Sequence, residues 1–358
     1  MAQSGLEDKA GTVREGEELP IQQLASYLTH HFPHLQGELE VTQFAGGASN
    51  WTYRLQFANA DWILRRPPAG TKAASAHDMG REYRLQKALQ DVYPYVPKML
   101  HYTDDETVIG AEFYIMERVA GIIPRKNMPR DLSLSEPQTR KLCENALDCL
   151  IELHQIDIHA HGLDHLAKGQ GYTERQVLGW NKRYRQAKTW NVPKSERIMT
   201  WLEQNKPQNE RLCMTHNDFR FDNLVLDTQD PTKIIGVLDW ELATLGNPLM
   251  DLGNSLAYWI QADDDAIARS TRRQPTHLQG MLSRDEVIRY YCQRMDVDVA
   301  DFTFYEVFGL FRLSVIAQQI YYRYHHKQTR NPAFKNFWFL VHYLHWRCRR
   351  LIKQQGKV

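Results

Sequence analysis

The stretch from Leu212 to Trp240 reads LCMTHNDFRFDNLVLDTQDPTKIIGVLDW. It sets His216, Asp218 and Asn223 in the spacing HxDxxxxN, passes through an apolar run at Asn223 to Leu226, turns at Asp230-Pro231, and rises through a second apolar run, Lys233 to Leu238, that ends on Asp239. Two short apolar runs around an Asp-Pro turn predict a β-hairpin. Phosphoryl transfer from Mg-ATP needs the groups this hairpin delivers: a carboxylate for the accepting hydroxyl and hard oxygen ligands for Mg2+. Asp218 is accordingly the candidate catalytic residue, and Asn223 and Asp239 are the candidate magnesium ligands. His216 is expected to fix the loop through hydrogen bonds, with simple packing of its ring as the alternative.

Upstream, Leu19 to Phe32 has helical apolar spacing and stops at Pro33. The segment from Leu39 to Arg66 alternates apolar and polar residues and predicts three short antiparallel strands. Gly46 and Gly47, followed by Ser49 and Asn50, punctuate the first turn. Residues without a Cβ can bring backbone amides close to a phosphate, although a plain hairpin needs glycine equally. Arg65, on the strand Asp61 to Arg66, can project from the sheet towards phosphates, while Arg66 points to the opposite face. Lys72 is a rival cation, and solvated surface charge accounts for all three.

Met79 to Leu89 reads as a short amphipathic helix with Glu82 near its middle, placed to hold Arg65 as a Lys-Glu pair does in protein kinases. A surface glutamate is the bland reading. Two further strands are predicted at Val96 to His101 and Ala111 to Val119. The run FYIMERVAGIIP then changes from apolar strand to Gly and Pro, which sets a hinge at Glu117 to Gly121. Backbone groups at Glu117 and Val119 are expected to receive an adenine ring, with Met116 as an apolar wall or as plain core.

The rest is mostly helical. Helices are predicted at Pro137 to Ile156, Thr173 to Trp190 with Thr173 as N-cap, Ser195 to Gln204, Arg284 to Met295, Phe302 to Tyr324 and Pro332 to Ile352. The two strands of the opening hairpin are the convincing ones in this half.

Composition narrows the function classes. Lys and Arg total 44 against 43 Asp and Glu, so no global field favours nucleic acid or an anionic membrane. The five cysteines are scattered and form no CxxC pair, which argues against a disulfide framework and a zinc site and suits a reducing, cytoplasmic setting. The first 18 residues are charged throughout and are expected to be a disordered tail, neither signal nor transit peptide. No apolar run approaches the ~20 residues that span a bilayer. Neither HExxH, GxxxxGKS nor GxGxxG occurs, which disfavours zinc hydrolases and other nucleotide folds.

With these motifs in place, the chain resembles the aminoglycoside phosphotransferase and choline kinase family. The resemblance is carried by GGASNWTYRL at 46–55, WILRRPP at 62–68, REYRLQKAL at 81–89, FYIMERVAG at 113–121, LHQID at 153–157, THNDFRFDNLVLD at 215–227 and GVLDWELATLGNPLMDLG at 236–253. It implies an α+β, protein-kinase-like bilobal fold. A nucleotide-binding lobe is expected at residues 19–118, a small antiparallel sheet with one helix. A larger helical lobe with the catalytic loop and substrate site is expected at residues 119–358. Asp251 resembles the family's structural aspartate that braces the catalytic loop. The anchoring cation is typically lysine in that family, whereas Arg65 stands here, similar to the branch fused to acyl-CoA dehydrogenase domains.

Rows of acidic residues for a polycationic antibiotic are missing after residue 260. Asp263, Asp264 and Asp265 cluster there, but a helix-end loop explains them as well. Arg269, Arg272, Arg273, Arg312, Arg323 and Lys327 offer cations, and Tyr258, Trp259 and Tyr321 offer aromatic walls. The expected activity is therefore ATP- and Mg2+-dependent phosphorylation of a hydroxyl on a small molecule with an acyl or acidic portion. A nucleotide-binding regulator with little turnover and an aminoglycoside kinase are the alternatives.

Overall fold

The computed structural model describes residues 6–44, 50–68, 78–166, 169–208, 210–298 and 301–355. They divide into two compact units. The first comprises Met1–Pro124, Pro129–Leu132 and Asn223–Glu241; the second comprises Arg125–Met128, Ser133–Asp222 and Leu242–Val358. This grouping departs from a cut at residue 118 because the hairpin of the opening stretch belongs with the first unit. Its Leu226 exchanges backbone hydrogen bonds with Ile122 at 2.8 and 2.9 Å, and Val237 donates to the Tyr95 carbonyl at 2.8 Å.

The first unit is built on a five-stranded antiparallel sheet of β1 (Glu40–Gln43), β2 (Trp51–Phe57), β3 (Ala60–Arg66), β4 (Met99–Thr103) and β5 (Phe113–Glu117), in the order β1-β2-β3-β5-β4. Strand side chains alternate between faces. Trp62 and Leu64 of β3 and Phe113 and Ile115 of β5 therefore join Leu24 and Leu28 of helix α1 (Ile21–His31) in one apolar cluster. The intervening Ile63, Tyr114 and Met116 join Met79 of α2 (Met79–Leu89) on the other face. With both faces covered, residues 62–64 of β3 and 113–116 of β5 are unbroken apolar runs. Arg65 shares the α2 face with Ile63, whereas Arg66 turns away and donates to the Ile109 carbonyl at 3.0 Å. Asp78 caps α2 by accepting from the Arg81 N–H at 2.7 Å.

Residues 6–18 correct the expectation of a disordered tail. Gly11 and Gln43 exchange both backbone hydrogen bonds, at 2.8 and 2.9 Å. Tyr53 donates its hydroxyl to the Glu17 carbonyl at 2.6 Å, and Arg118 pairs with Glu7 at 3.0 Å. A largely polar segment is thus held by strand pairing and ion pairs, with Val13 packed against the apolar cluster. The hairpin completes the unit as β7 (Leu224–Leu226) and β8 (Ile234–Val237) in a separate two-stranded sheet.

The second unit is mostly helical: α3 (Glu136–Gln155), α4 (Tyr172–Ala187), α5 (Glu196–Gln204), α6 (Pro248–Ala257), α7 (Ala266–Thr271), α8 (Arg284–Met295), α9 (Thr303–His325) and α10 (Phe337–Gln355). Helix α4 is capped differently from expectation. Gly171 precedes it, and the Glu210 carboxylate accepts from the Tyr172 and Thr173 N–H groups at 2.6 and 2.8 Å. The predicted helix from Pro332 splits into a short 3-10 turn, Pro332–Phe334, and α10. A strand pair absent from the sequence reading, β6 (Cys213–Thr215) with β9 (Thr244–Gly246), brackets the catalytic loop. Where α6 crosses α9, Gly253 and Gly309 bring the backbones together: a Cβ on Gly309 would meet the Gly253 carbonyl. Among the described residues, no helix is long and apolar enough to cross a membrane.

Candidate active site

In the first unit the expected Arg65–Glu82 pair is present and buried. Arg65 Nη1 donates to Glu82 Oε1 at 2.8 Å, with side-chain exposures of 10% and 2%. The same guanidinium reaches Asp239 Oδ1 through Nη2 at 3.1 Å. Tyr114, paired with Arg65 across β3 and β5, donates its hydroxyl to Glu82 Oε1 at 2.7 Å. Burial pulls the Arg65 pKa down, but the carboxylates of Glu82, Asp239 and Glu241 and the Tyr114 hydroxyl outweigh it and hold the group well above its ordinary value. Arg65 Nε and Glu82 Oε2 are buried polar atoms that find no partner among the described residues.

Asp239 has φ +69°, left-handed for a residue with a side chain, and its carboxylate is 34% exposed. A non-glycine residue held in this region is a common mark of a functional position. Asn223 is buried, and its carbonyl accepts from the Leu238 N–H at 2.8 Å, which ties the start of the hairpin to the residue before Asp239. Trp240, fully buried against Tyr93, donates its indole N–H to the Val237 carbonyl at 2.8 Å and fixes the end of β8.

The other nucleotide candidates are more dispersed in character. Asn50 donates to Glu241 Oε2 at 3.3 Å. Met116 lies in the apolar cluster with Met79 and Met99, Glu117 is exposed and pairs with Lys98 at 3.2 Å, and Val119 packs on Gly236. Gly46, Gly47 and Ser49, together with the rival cation Lys72, lie outside the described residues. Arg81 escaped the sequence reading: it donates to the Glu241 carbonyl at 3.1 Å, yet in the sequence it is one more charge on a helix.

In the second unit the loop that carries Asp218 hangs from Asp251. This carboxylate is fully buried on α6 and accepts from the backbone N–H groups of His216 at 2.7 Å and Asn217 at 2.8 Å. His154 Nε2 lies 3.1 Å away on its other side, and His154 Nδ1 meets the Tyr291 hydroxyl at 2.5 Å. Burial pushes the Asp251 carboxyl up, but the bonds and charges of His154 and His216 hold it below the ordinary carboxylate value. His216 Nδ1 accepts from the Asp218 N–H at 3.3 Å, which places the ring proton of the neutral form on Nε2. Asn217, at φ +64°, donates to Thr215 Oγ1 and the Leu242 carbonyl and accepts from Tyr172 and Asn254.

Asp218 itself is partly buried, 3.3 Å from Arg220, which is also 3.3 Å from Asp222 and lies over the Tyr258 ring at 4.7 Å. Burial pushes the Asp222 carboxyl up. Arg220 sits within the HxDxxxxN spacing between two aspartates, and that local charge alternation was the signal available in the sequence. Arg312 of α9 donates to the Asn217 carbonyl at 3.0 Å. Asp264 and Asp265 serve structure: Asp264 pairs with Arg284 at 2.7 Å, and Asp265 caps α7 and accepts from the Tyr343 hydroxyl.

The family model for the phosphotransferase enzyme family matches residues 40–286, a span that contains every one of these groups except Arg312, Tyr291 and Tyr343. The chain belongs to that family. Acyl-CoA dehydrogenase family member 10 of Mus musculus is 37% identical over 87% of this chain but is matched over only 29% of its own length. The chain thus spans about a third of that relative. A solved Ralstonia eutropha structure assigned as an aminoglycoside phosphotransferase is 27% identical, covers 94% of this chain and 99% of its own, and superposes with a TM-score of 0.79. Choline kinase from Cryptosporidium parvum, at 13% identity, shares the fold with a TM-score of 0.60 over 89% of this chain and 91% of that one. The fold is α+β and protein-kinase-like, and the family to which the chain belongs is one of phosphotransferase enzymes.

Proposed function

We propose that the protein transfers the γ-phosphate of ATP to a hydroxyl on a small molecule that carries an acyl or acidic portion. The observation that carries this reading is Arg65 held between Glu82 and Asp239. A buried cation tied to a helix carboxylate and to the aspartate after a strand is the arrangement that positions nucleotide phosphates in kinase-like enzymes. Asn223 and Asp239 fit magnesium by their chemistry, since both offer hard oxygens and one Asp239 oxygen is left over from Arg65. When bound, the metal neutralises charge on the phosphates. Asp218 orients the acceptor hydroxyl and takes its proton as the oxygen bonds to the γ-phosphorus and the bond to ADP breaks. Asp251 and His216 keep the loop in register for that task.

Backbone groups of Gly46, Gly47, Ser49 and Asn50 serve the phosphates in this reading, and Glu117 and Val119, with Met116 beside them, serve the base. The test is ADP release from Mg-ATP across hydroxy acids, hydroxyacyl-CoA esters, sugars, amino alcohols and aminoglycosides. Release with a hydroxy acid or acyl ester is expected; release only with aminoglycosides would replace the acceptor class. One observation favours a second reading, a nucleotide-binding regulator: the Arg65 fork already engages the Asp239 carboxylate that would hold metal. Measurable Mg-ATP binding with no ADP release for any acceptor would select it.

A further inference from the structure

In the second unit, Arg140, Arg185, Arg220, Arg284 and Arg294 pair with carboxylates among the described residues. Arg284 meets Asp264, Arg185 meets Glu196 and Arg294 meets Asp148, each at 2.7 Å. Arg220 is shared by Asp218 and Asp222. Arg183 and Arg312 are set apart by sharing one aromatic ring. Their guanidinium carbons lie 4.6 and 5.3 Å from the centre of the same Trp180 ring, and among the described residues neither has a carboxylate within ion-pair distance.

The nearby acids are engaged elsewhere. Glu174 pairs with Lys206 at 2.6 Å, Glu203 accepts from Asn181 at 2.6 Å, and Glu210 caps α4. Partial desolvation against its neighbours, and then the charge of Arg312, push the pKa of the exposed Arg183 down, so the two cations oppose each other. Arg312 is only 4% exposed, and among the described residues its one hydrogen-bond acceptor is the Asn217 carbonyl. Two like charges gathered at one aromatic ring, with no counterion among the described residues, repel each other until an anion joins them, and guanidinium forks match carboxylate and phosphate oxygens.

The place of this pair matters as much as its charge. Asn217 immediately precedes Asp218, and the Tyr258 phenol feels the charges of Asp218, Arg220 and Arg312 together. We propose that Arg183 and Arg312, presented on Trp180 beside Asp218, bind an anionic group of the acceptor molecule, a carboxylate or a phosphate. The inference rests on the phosphotransfer reading for the acceptor's hydroxyl, but the anion site stands on binding alone.

The experiment measures binding by calorimetry and turnover by ADP release for matched pairs: glycerate against its amide, glycerol phosphate against glycerol, and longer hydroxy acids against their amides. Wild-type protein is expected to prefer the charged member by about tenfold or more, the size of one charge-assisted hydrogen bond. Arg183→Gln, at an exposed position, should remove most of that preference, and KM for the charged member should rise far more than kcat falls. Preference confined to carboxylates or to phosphates identifies the group. Equal binding of charged and neutral members, or a preference that survives Arg183→Gln, overturns the proposal. Charged-member preference without ADP release would leave the anion site standing and remove the phosphotransfer reading. ADP release with neutral members and no charge preference would do the reverse.

Discussion

Arg65 Nη2 lies 3.1 Å from Asp239 Oδ1, so the middle strand of the sheet is joined to the end of the hairpin by one buried guanidinium that also holds Glu82. Removing one member of a buried ion pair leaves the other charge without compensation. Glu82→Ala is therefore expected to destabilise the protein by about 3–5 kcal/mol in denaturant unfolding. Arg65→Lys should weaken nucleotide binding as well, because an ammonium cannot present two donors in a fixed fork. A loss below about 1 kcal/mol for Glu82→Ala, the range of a surface pair, would show that the pair is not buried in solution.

Asp218→Asn keeps the volume and much of the polarity at a partly buried position but cannot take a proton. Turnover should fall by at least about a hundredfold, the usual contribution of a general base. Affinity for Mg-ATP, measured by titration, should stay close to that of the parent protein. Retained turnover would remove Asp218 from its role.

How much of this was legible in the sequence depended on the kind of signal. Helix α2 was read residue for residue because its apolar residues recur at helical spacing with charges between them. Helix α6 was missed because all ten of its residues are buried, so no apolar stripe stands out against a polar face. Strands β6 and β9 have three residues each, too few for an alternation to register. The Arg65, Glu82, Asp218, Asn223 and Asp239 positions were legible because strand alternation and motif spacing are local. Tyr114 and Arg312 were not readable as partners of Glu82 and Asn217, since those pairs are 32 and 95 residues apart.

Asp251 accepts two backbone N–H groups of the catalytic loop, and each such bond to a charged acceptor contributes about 1.5–3 kcal/mol. Asp251→Asn turns one acceptor oxygen into an amide donor facing either the Asn217 N–H or the His216 N–H together with His154. The expected result is a loss of several kcal/mol of stability together with reduced kcat, since the loop no longer holds Asp218 in register. Circular dichroism melting and turnover on the same preparation check it, and unchanged values for both would dissociate Asp251 from the loop.

His345, fully buried in α10, lies 2.8 Å from Ser195 Oγ through Nδ1 and 3.0 Å from Ser314 Oγ through Nε2. Burial, with lesser contributions from Arg349 and His342, pushes its pKa down to about 3 from 6.5. In the unfolded chain the ring takes up a proton near its ordinary value. Between pH 6.5 and about 3 the unfolded state therefore binds a proton that the folded state refuses. The stability this neutral ring contributes is complete above the unfolded pKa and is lost as pH falls towards the folded one. The slope can reach about 1.4 kcal/mol per pH unit. His345→Gln keeps a donor and an acceptor for the two serines and removes the titration, so its unfolding free energy should be flatter from pH 7 down to pH 4. Parallel pH profiles for the two proteins in urea would show that His345 does not carry this acid sensitivity.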